Sequence, residues 1–193
     1  MKDLEGLQKN IHEDIIERSK VGDRAAQYQL YNLYSKAMYN ICYRMCNSSE
    51  EAEDVLQEAF INAFSHLEHY KGTASFGAWL KRIVVNNAIN HIRRRRMNLV
   101  PLEDHEYSVA DQEFSSDEDL ILEVEKVKEC VNKLPDGYRV VFSLYLMEGY
   151  DHKEIAEILG VTESTSKSQY NRAKKKLKEL LNEQSHEEGI SGR

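Results

Sequence analysis

Between Asn47 and Leu67 the apolar residues Ala52, Val55, Leu56, Ala59, Phe60, Ala63 and Leu67 recur at intervals of three and four. That is the spacing of one buried face on an α-helix, and a strand, which needs strict alternation, cannot satisfy it. The pattern is bounded at both ends. Ser48 with Glu51 three residues later predicts a capping box at its start, and the run from His69 to Ser75, punctuated by Gly72, predicts a loop after it. The opposite face offers Asp54, Gln57, Glu58 and Ile61 at i, i+3, i+4 and i+7. Taken alone, such a side reads as solvated surface.

The same period returns along the chain, and no convincing alternation interrupts it. Residues 26–44 read as helix with Leu30, Leu33, Ala37, Ile41 and Arg44 along one stripe. A long helix over about 76–96 places Leu80, Val84, Ala88 and His91 on one side. Arg82, Asn86, Asn90 and Arg93 line another, beside Trp79. From 118 onward Leu120, Ile121, Val124, Val127, Val131 and Leu134 resume the period, Pro135 starts a helix over about 136–147, and Gly149 ends it. Proline is rare, two in 193 residues, so these helices go unbroken. The fold class expected is all-α: two small helical domains, 1–97 and 118–181, joined by a flexible acidic linker over 98–117 and followed by a polar, frayed tail at 182–193.

Charge separates these parts more sharply than hydropathy does. The net charge is −7, which by itself speaks against a nucleic-acid partner. Residues 99–125, however, hold ten acids and no Lys or Arg, leaving the remainder of the chain at +3. Residues 81–96 carry six bases and no acid, and residues 163–178 carry six bases against Glu163. Single runs of one sign are ordinarily solvated faces, and cations are favoured at a helix end, as in Arg93 to Arg96. Two basic runs, each closing a helical pattern and flanking an acidic connector, point to polyanion binding at two places.

Residues 151–181 have the layout of a helix-turn-helix. Ala156 is small where two helices must approach, and Gly160 four residues on can take the left-handed turn. Asp151 with Glu154, and Thr162, predict the two caps. Ile155, Leu159, Val161, Tyr170, Ala173 and Leu177 supply the buried side, leaving Ser164, Thr165, Lys167, Ser168, Asn171, Arg172 and Lys175 on a polar, basic strip over about 151–178. Such a strip suits the major groove, where Asn and Arg read base edges and Lys and Thr hold phosphates. In the first domain the helix over 76–96 combines bases, amides and an aromatic, the groups that bind single strands, although Trp79 on composition reads first as core.

The segments from Ala52 to Phe60 and from Tyr70 to Phe76, with Trp79-Leu80, Asn86 and the Arg93 to Arg96 run, resemble region 2 of bacterial sigma factors. Leu134-Pro135, Glu154 to Ala156, Gly160, Lys167-Ser168 and Arg172-Ala173 resemble their region 4. Length and order are similar to the extracytoplasmic-function (ECF) group, which keeps only these two regions. The resemblance implies a subunit that binds core RNA polymerase and directs it to promoters. Asp54, Gln57, Glu58 and Ile61 would dock on the clamp helices of the largest subunit. Tyr70, Lys71, Trp79, Arg82, Asn86, Asn90 and Arg93 would capture the opened −10 element, where flipping bases costs a few kcal/mol. The strip from Ser164 to Lys175 would read the −35 element as duplex, region 4 would also meet the flap of the second-largest subunit, and the acidic linker would thread toward the RNA exit path. Against the family pattern, Ser166 takes a place filled by a buried aliphatic residue, which predicts weaker packing of that helix and puts the −35 specificity in question.

Three alternatives carry less of the chain. A sigma mimic that sequesters an anti-sigma factor would not need both basic surfaces. A free-standing helix-turn-helix regulator leaves the first domain unexplained. An enzyme lacks a phosphate loop, a nucleophile elbow or a spaced carboxylate pair, so no catalytic residue, cofactor or metal is expected. His66, Glu68 and His69 lack a third ligand at metal spacing, and Cys42 and Cys46 read as small buried residues. Three cysteines with no C-x-x-C give neither a disulfide framework nor a zinc motif. No window nears the roughly 20 apolar residues of a membrane span, and the first residues show no signal core, so a cytoplasmic protein without membrane insertion is expected, with an anti-sigma factor as a further candidate partner.

Overall fold

The computed structural model describes residues 12–97 and 120–191, which fall into two compact units divided between Asn98 and Leu99. The expected linker over 98–117 lies outside the described residues, as do the first eleven.

In the first unit α1 (Glu13–Lys20), α2 (Arg24–Cys46), α3 (Ser49–Ser65) and α4 (Phe76–Met97) pack around one core, with a single 3₁₀ turn at Leu67–His69. Asp23 caps α2: its Oδ1 accepts from the amides of Ala25 and Ala26 at 2.9 and 3.2 Å, while Arg18 holds Oδ2 at 2.7 Å. Asn47 closes α2 in the left-handed conformation at φ 58, and Ser48 immediately caps α3, accepting from Glu51 N at 3.3 Å. A two-residue link thus reverses the chain, using the residue type that best tolerates that φ after Gly.

The stripe read on α3 is the one buried: Ala52, Val55, Leu56, Ala59, Phe60 and Ala63 all face inward, as do Leu67, Leu80, Val84 and Ala88. Each fully buried aliphatic side chain among them contributes about 1.5–3 kcal/mol over leaving it exposed. The stripe expected on α2 is corrected. Leu33 is 52% exposed and Ala37 also faces out, whereas Ala26, Leu30, Met38, Ile41, Cys42 and Met45 are buried. In a 23-residue helix, apolar residues on both sides left two stripes to choose from, and packing against α3 and α4 selects the one through Met38 and Cys42.

The second unit comprises α5 (Leu120–Asn132), α6 (Asp136–Phe142), α7 (His152–Leu159) and α8 (Glu163–Ser191). Val131, Leu134, Phe142 and Ala173 form its core, flanked by Val127, Tyr138, Tyr170, Leu177 and Leu180. Arg139 is buried, donating to the Leu134 carbonyl at 2.8 Å and to Asp136 Oδ1 at 2.6 Å, which fastens the turn at Pro135. Two expectations change here. The helix over 136–147 is α-helical only to Phe142 and then widens into a π-turn at Ser143–Met147, leaving Leu146 54% exposed. Six consecutive residues from Arg139 to Leu144 are buried, more than one face of a regular helix can hide. The tail is corrected as well: α8 continues through 182–191, and Gln184 accepts from Cys130 Sγ at 3.1 Å and donates to Glu129 at 3.4 Å, tying its end to α5.

Candidate nucleic-acid and polymerase interfaces

On α4, Arg82, Asn86, Asn90 and Arg93 are all exposed, so the spacing read from the sequence becomes one continuous polar strip. Its underside is held by Val84, Val85, Ala88, Ile89 and Ile92, each buried. The loop before α4 is built on Tyr70, which is only 8% exposed and donates its hydroxyl to the Ala74 carbonyl at 2.7 Å. Its ring meets Phe76 edge-on at 5.6 Å and Trp79 at 5.4 Å, and Phe76 meets Trp79 at 5.5 Å. Burial pushes the Tyr70 phenol above its ordinary value. Tyr70 and Trp79 therefore shape the loop, Trp79 with one side half-buried, and the exposed member of the set is Lys71.

The loop also leans on α1. Lys20 Nζ stands 5.7 Å from the centre of the Tyr70 ring and pairs with Glu17 at 2.7 Å. Glu13, Glu17, Lys20, Tyr70, Lys71 and Gly72 surround a cavity of about 400 Å³ between α1 and the loop. Lys20 is a contributor that the sequence reading missed: fifty residues separate it from Tyr70, and nothing in its own helix marks it.

The arginine run does not stay uniformly exposed. Glu51 receives two hydrogen bonds from Arg95 Nη1, at 2.7 and 3.0 Å, and lies 3.6 Å from His91 Nε2. The carboxylate expected to complete a capping box with Ser48 is thus committed to α4. Glu58 approaches Arg94 at 3.8 Å. On the outer face of α3, Asp54, Gln57 and Ile61 are exposed, Ile61 at 64%, and Glu58 is half-exposed. Gln57 also borders a groove with Glu53 on α3 and Lys36 and Tyr39 on α2.

In the second unit both caps form as expected. Asp151 Oδ1 accepts from Glu154 N at 2.8 Å and Glu154 returns the bond to Asp151 N at 2.9 Å, a complete capping box. Gly160 ends α7 at φ 67, and Thr162 Oγ1 accepts from Thr165 N at 3.0 Å. Ile155, Ala156 and Ala173 are buried, whereas Val161, expected inside, is 36% exposed at the turn. On α8 Ser164, Lys167, Ser168, Asn171 and Lys175 are exposed and Arg172 is half-exposed. Within the strip Thr165 Oγ1 meets Thr162 Oγ1 at 2.8 Å, and Lys167 pairs with Glu163 at 2.6 Å. That pairing holds the Glu163 carboxyl below its ordinary value.

Ser166, one turn into α8, is fully buried. Its hydroxyl lies 3.0 Å from His152 Nδ1, so the position expected to carry an aliphatic contact carries a polar one. Elsewhere, Cys42 and Cys46 are buried thiols outside any disulfide, and burial pushes Cys42 up to about 12, so it holds its proton. His66 and His69 are exposed with ring centres 6.0 Å apart, and among the described residues no three potential ligands converge on a metal position. No described helix is long and apolar enough to cross a membrane.

Residues 30–97 match the family model for sigma-70 region 2, and residues 125–177 match that for sigma-70 region 4. The ECF RNA polymerase sigma factor SigW of Bacillus subtilis is 31% identical, over 86% of this chain and 94% of its own length. The RNA polymerase sigma-H factor of Pseudomonas aeruginosa is 32% identical, over 88% of this chain and 93% of its own. Among solved structures, the sigma factor RpoE of Bartonella quintana in complex with the anti-sigma factor NepR superposes with a TM-score of 0.53 at 23% identity, covering 80% of this chain and 96% of that one. CnrH in complex with the cytosolic domain of CnrY gives 0.51 at 24% identity, covering 87% and 95%.

Proposed function

The chain belongs to the sigma-70 family, as an ECF RNA polymerase sigma factor, and from that premise we propose which of its surfaces do the work. The protein is an initiation factor rather than an enzyme: it binds core polymerase in the cytoplasm and brings it to promoters. Asp54, Gln57, Glu58 and Ile61 dock on the clamp helices of the largest subunit. The exposed Ile61 supplies apolar contact and the acids around it supply register.

Lys71, Arg82, Asn86, Asn90 and Arg93 take the opened strand of the −10 element. Arginines and the lysine track phosphates, while the two amides, exposed and one turn apart, present donors and acceptors to base edges. Tyr70 and Trp79 act beneath them by fixing the loop. In the second unit the strip of α8 enters the major groove at the −35 element, Ser164 and Thr165 leading, with Asn171 and Arg172 reading and Lys167 and Lys175 on phosphates. The flap of the second-largest subunit contacts this same unit. The observation that carries the proposal is the pairing of two exposed polar strips, on α4 and α8, within units that match regions 2 and 4 in that order.

Transcription reconstituted with core enzyme over a pool of genomic fragments tests it. Discrete, protein-dependent start sites sharing elements at −10 and −35 are expected; start sites that do not change when the protein is omitted would overturn it. An anti-sigma factor as regulator is supported by the solved complex in which a protein of similar fold is bound by one. It would cover the α3 face and compete with core polymerase.

A further inference from the structure

In a two-helix reading motif the second helix must be held at a set rotation, because turning it by one residue swings each side chain by about 100°. Here the hold includes a polar contact in an otherwise apolar seam. Ser166 is fully buried on α8, between Thr165 and Lys167 of the exposed strip. His152, the first residue of α7, reaches it with Nδ1 at 3.0 Å. The imidazole itself is clamped. Tyr145 of the π-turn lies parallel to it, with centroids 4.4 Å apart and planes at 11°, and Tyr170 of α8 meets it at 5.6 Å and 60°. Tyr145 and Tyr170 in turn touch each other at 4.6 Å. One ring therefore joins the π-turn, the first helix of the motif and α8, and its side-chain hydrogen bond goes to the buried hydroxyl.

We propose that His152 and Ser166 form a positioning pair that pins the rotation of α8, so that recognition of duplex DNA by its outer strip depends on this hydroxyl–imidazole bond. The inference rests on the reading of α8 as the helix that enters the −35 element. A hydroxyl in that seam gives directional contact where an aliphatic side chain would give only volume. Burial disfavours the imidazolium most, and Lys167 beside it pushes in the same direction, against weaker opposing pulls from Glu163 and Asp151. The ring's proton affinity is therefore below the ordinary histidine value in the folded unit. The other ionisable groups facing it are the Tyr145 and Tyr170 phenols, of which Tyr170 is held above its ordinary value by burial. For a base held this way, the stabilisation is complete above the unfolded value, about 6.5, and is lost as pH falls from there toward the folded value.

The test compares Ser166→Thr with Ser166→Val, which have nearly the same shape but differ in the hydroxyl. Holoenzyme is assembled on a promoter selected with the wild-type protein, and its affinity is measured as a ratio to the same fragment with the −35 element scrambled. At pH 7.5 the ratio should stay near wild type for Ser166→Thr and fall about five- to tenfold for Ser166→Val, as the net value of one buried hydrogen bond implies. In parallel, nitrogen NMR of the imidazole in the full chain should show the His152 titration move in Ser166→Val. Equal behaviour of the Thr and Val variants, or an unmoved His152 titration, overturns the pin. A wild-type ratio of one overturns the reading of α8 itself, an outcome distinct from failure of the pin, which leaves the wild-type ratio above one.

Discussion

At the scale of single residues, the bonds that close the ends of α7 and α8 are local, and the pair that ties α3 to α4 spans the first unit. The Asp151–Glu154 box, the Gly160 turn and the Thr162 cap each depend on residues within four positions, and all formed as read. Glu51 was equally visible as half of a box, but its carboxylate is drawn to Arg95, 44 positions away, which no local pattern reports. Because that pair is only about a quarter exposed and doubly bonded, Glu51→Ala should cost the first unit about 1 kcal/mol. Thermal unfolding should show its transition about 4–8 °C lower. Glu58→Ala, whose partner is 3.8 Å away and largely exposed, should leave the transition unmoved. Asn86, exposed over a packed helix, has no structural duty visible in its surroundings. Asn86→Ala is expected to slow open-complex formation about tenfold, the loss of one base-edge contact, while core binding by competition assay stays at wild type. Equal losses in both would remove Asn86 from the strand-reading set.

At the scale of elements, a helix with one apolar stripe could be read outright and a helix with two could not. The face of α3 was determined by its own residues, whereas α2 carries Leu33 and Ala37 outside and Met38 and Cys42 inside, and only its neighbours decide between them. The π-turn after α6 had no sequence signature because it answers to six consecutive buried residues, a property of the surrounding core. It matters for the site nonetheless, since it brings Tyr145 against His152. The α7–α8 turn makes the opposite case. Gly160 sits at φ 67 for a reason contained in one residue type, so Gly160→Ala should destabilise the second unit by about 1–2 kcal/mol in urea unfolding, with Gly160→Asn losing less.

At the scale of the whole molecule, the −7 net charge described no part of it, since ten acids without a base occupy residues 99–125 and two six-base runs lie on α4 and α8. Burial adds a second correction to any tally of charge. Arg94 and Arg95 already face Glu58 and Glu51, so these two arginines are partly neutralised before any phosphate arrives. A protein binding nucleic acid releases condensed counterions in proportion to the phosphates its cations neutralise, and a cation that must first leave a carboxylate releases fewer. The logarithm of promoter affinity should therefore fall with the logarithm of salt concentration less steeply than a count of lysines and arginines on α4 implies. Glu51→Gln, by removing the carboxylate charge beside Arg95, should steepen that slope by up to about one contact's worth, roughly 0.7 for a single strand. The internal ion pairs of the first unit should thus temper the loss of promoter affinity as intracellular salt rises.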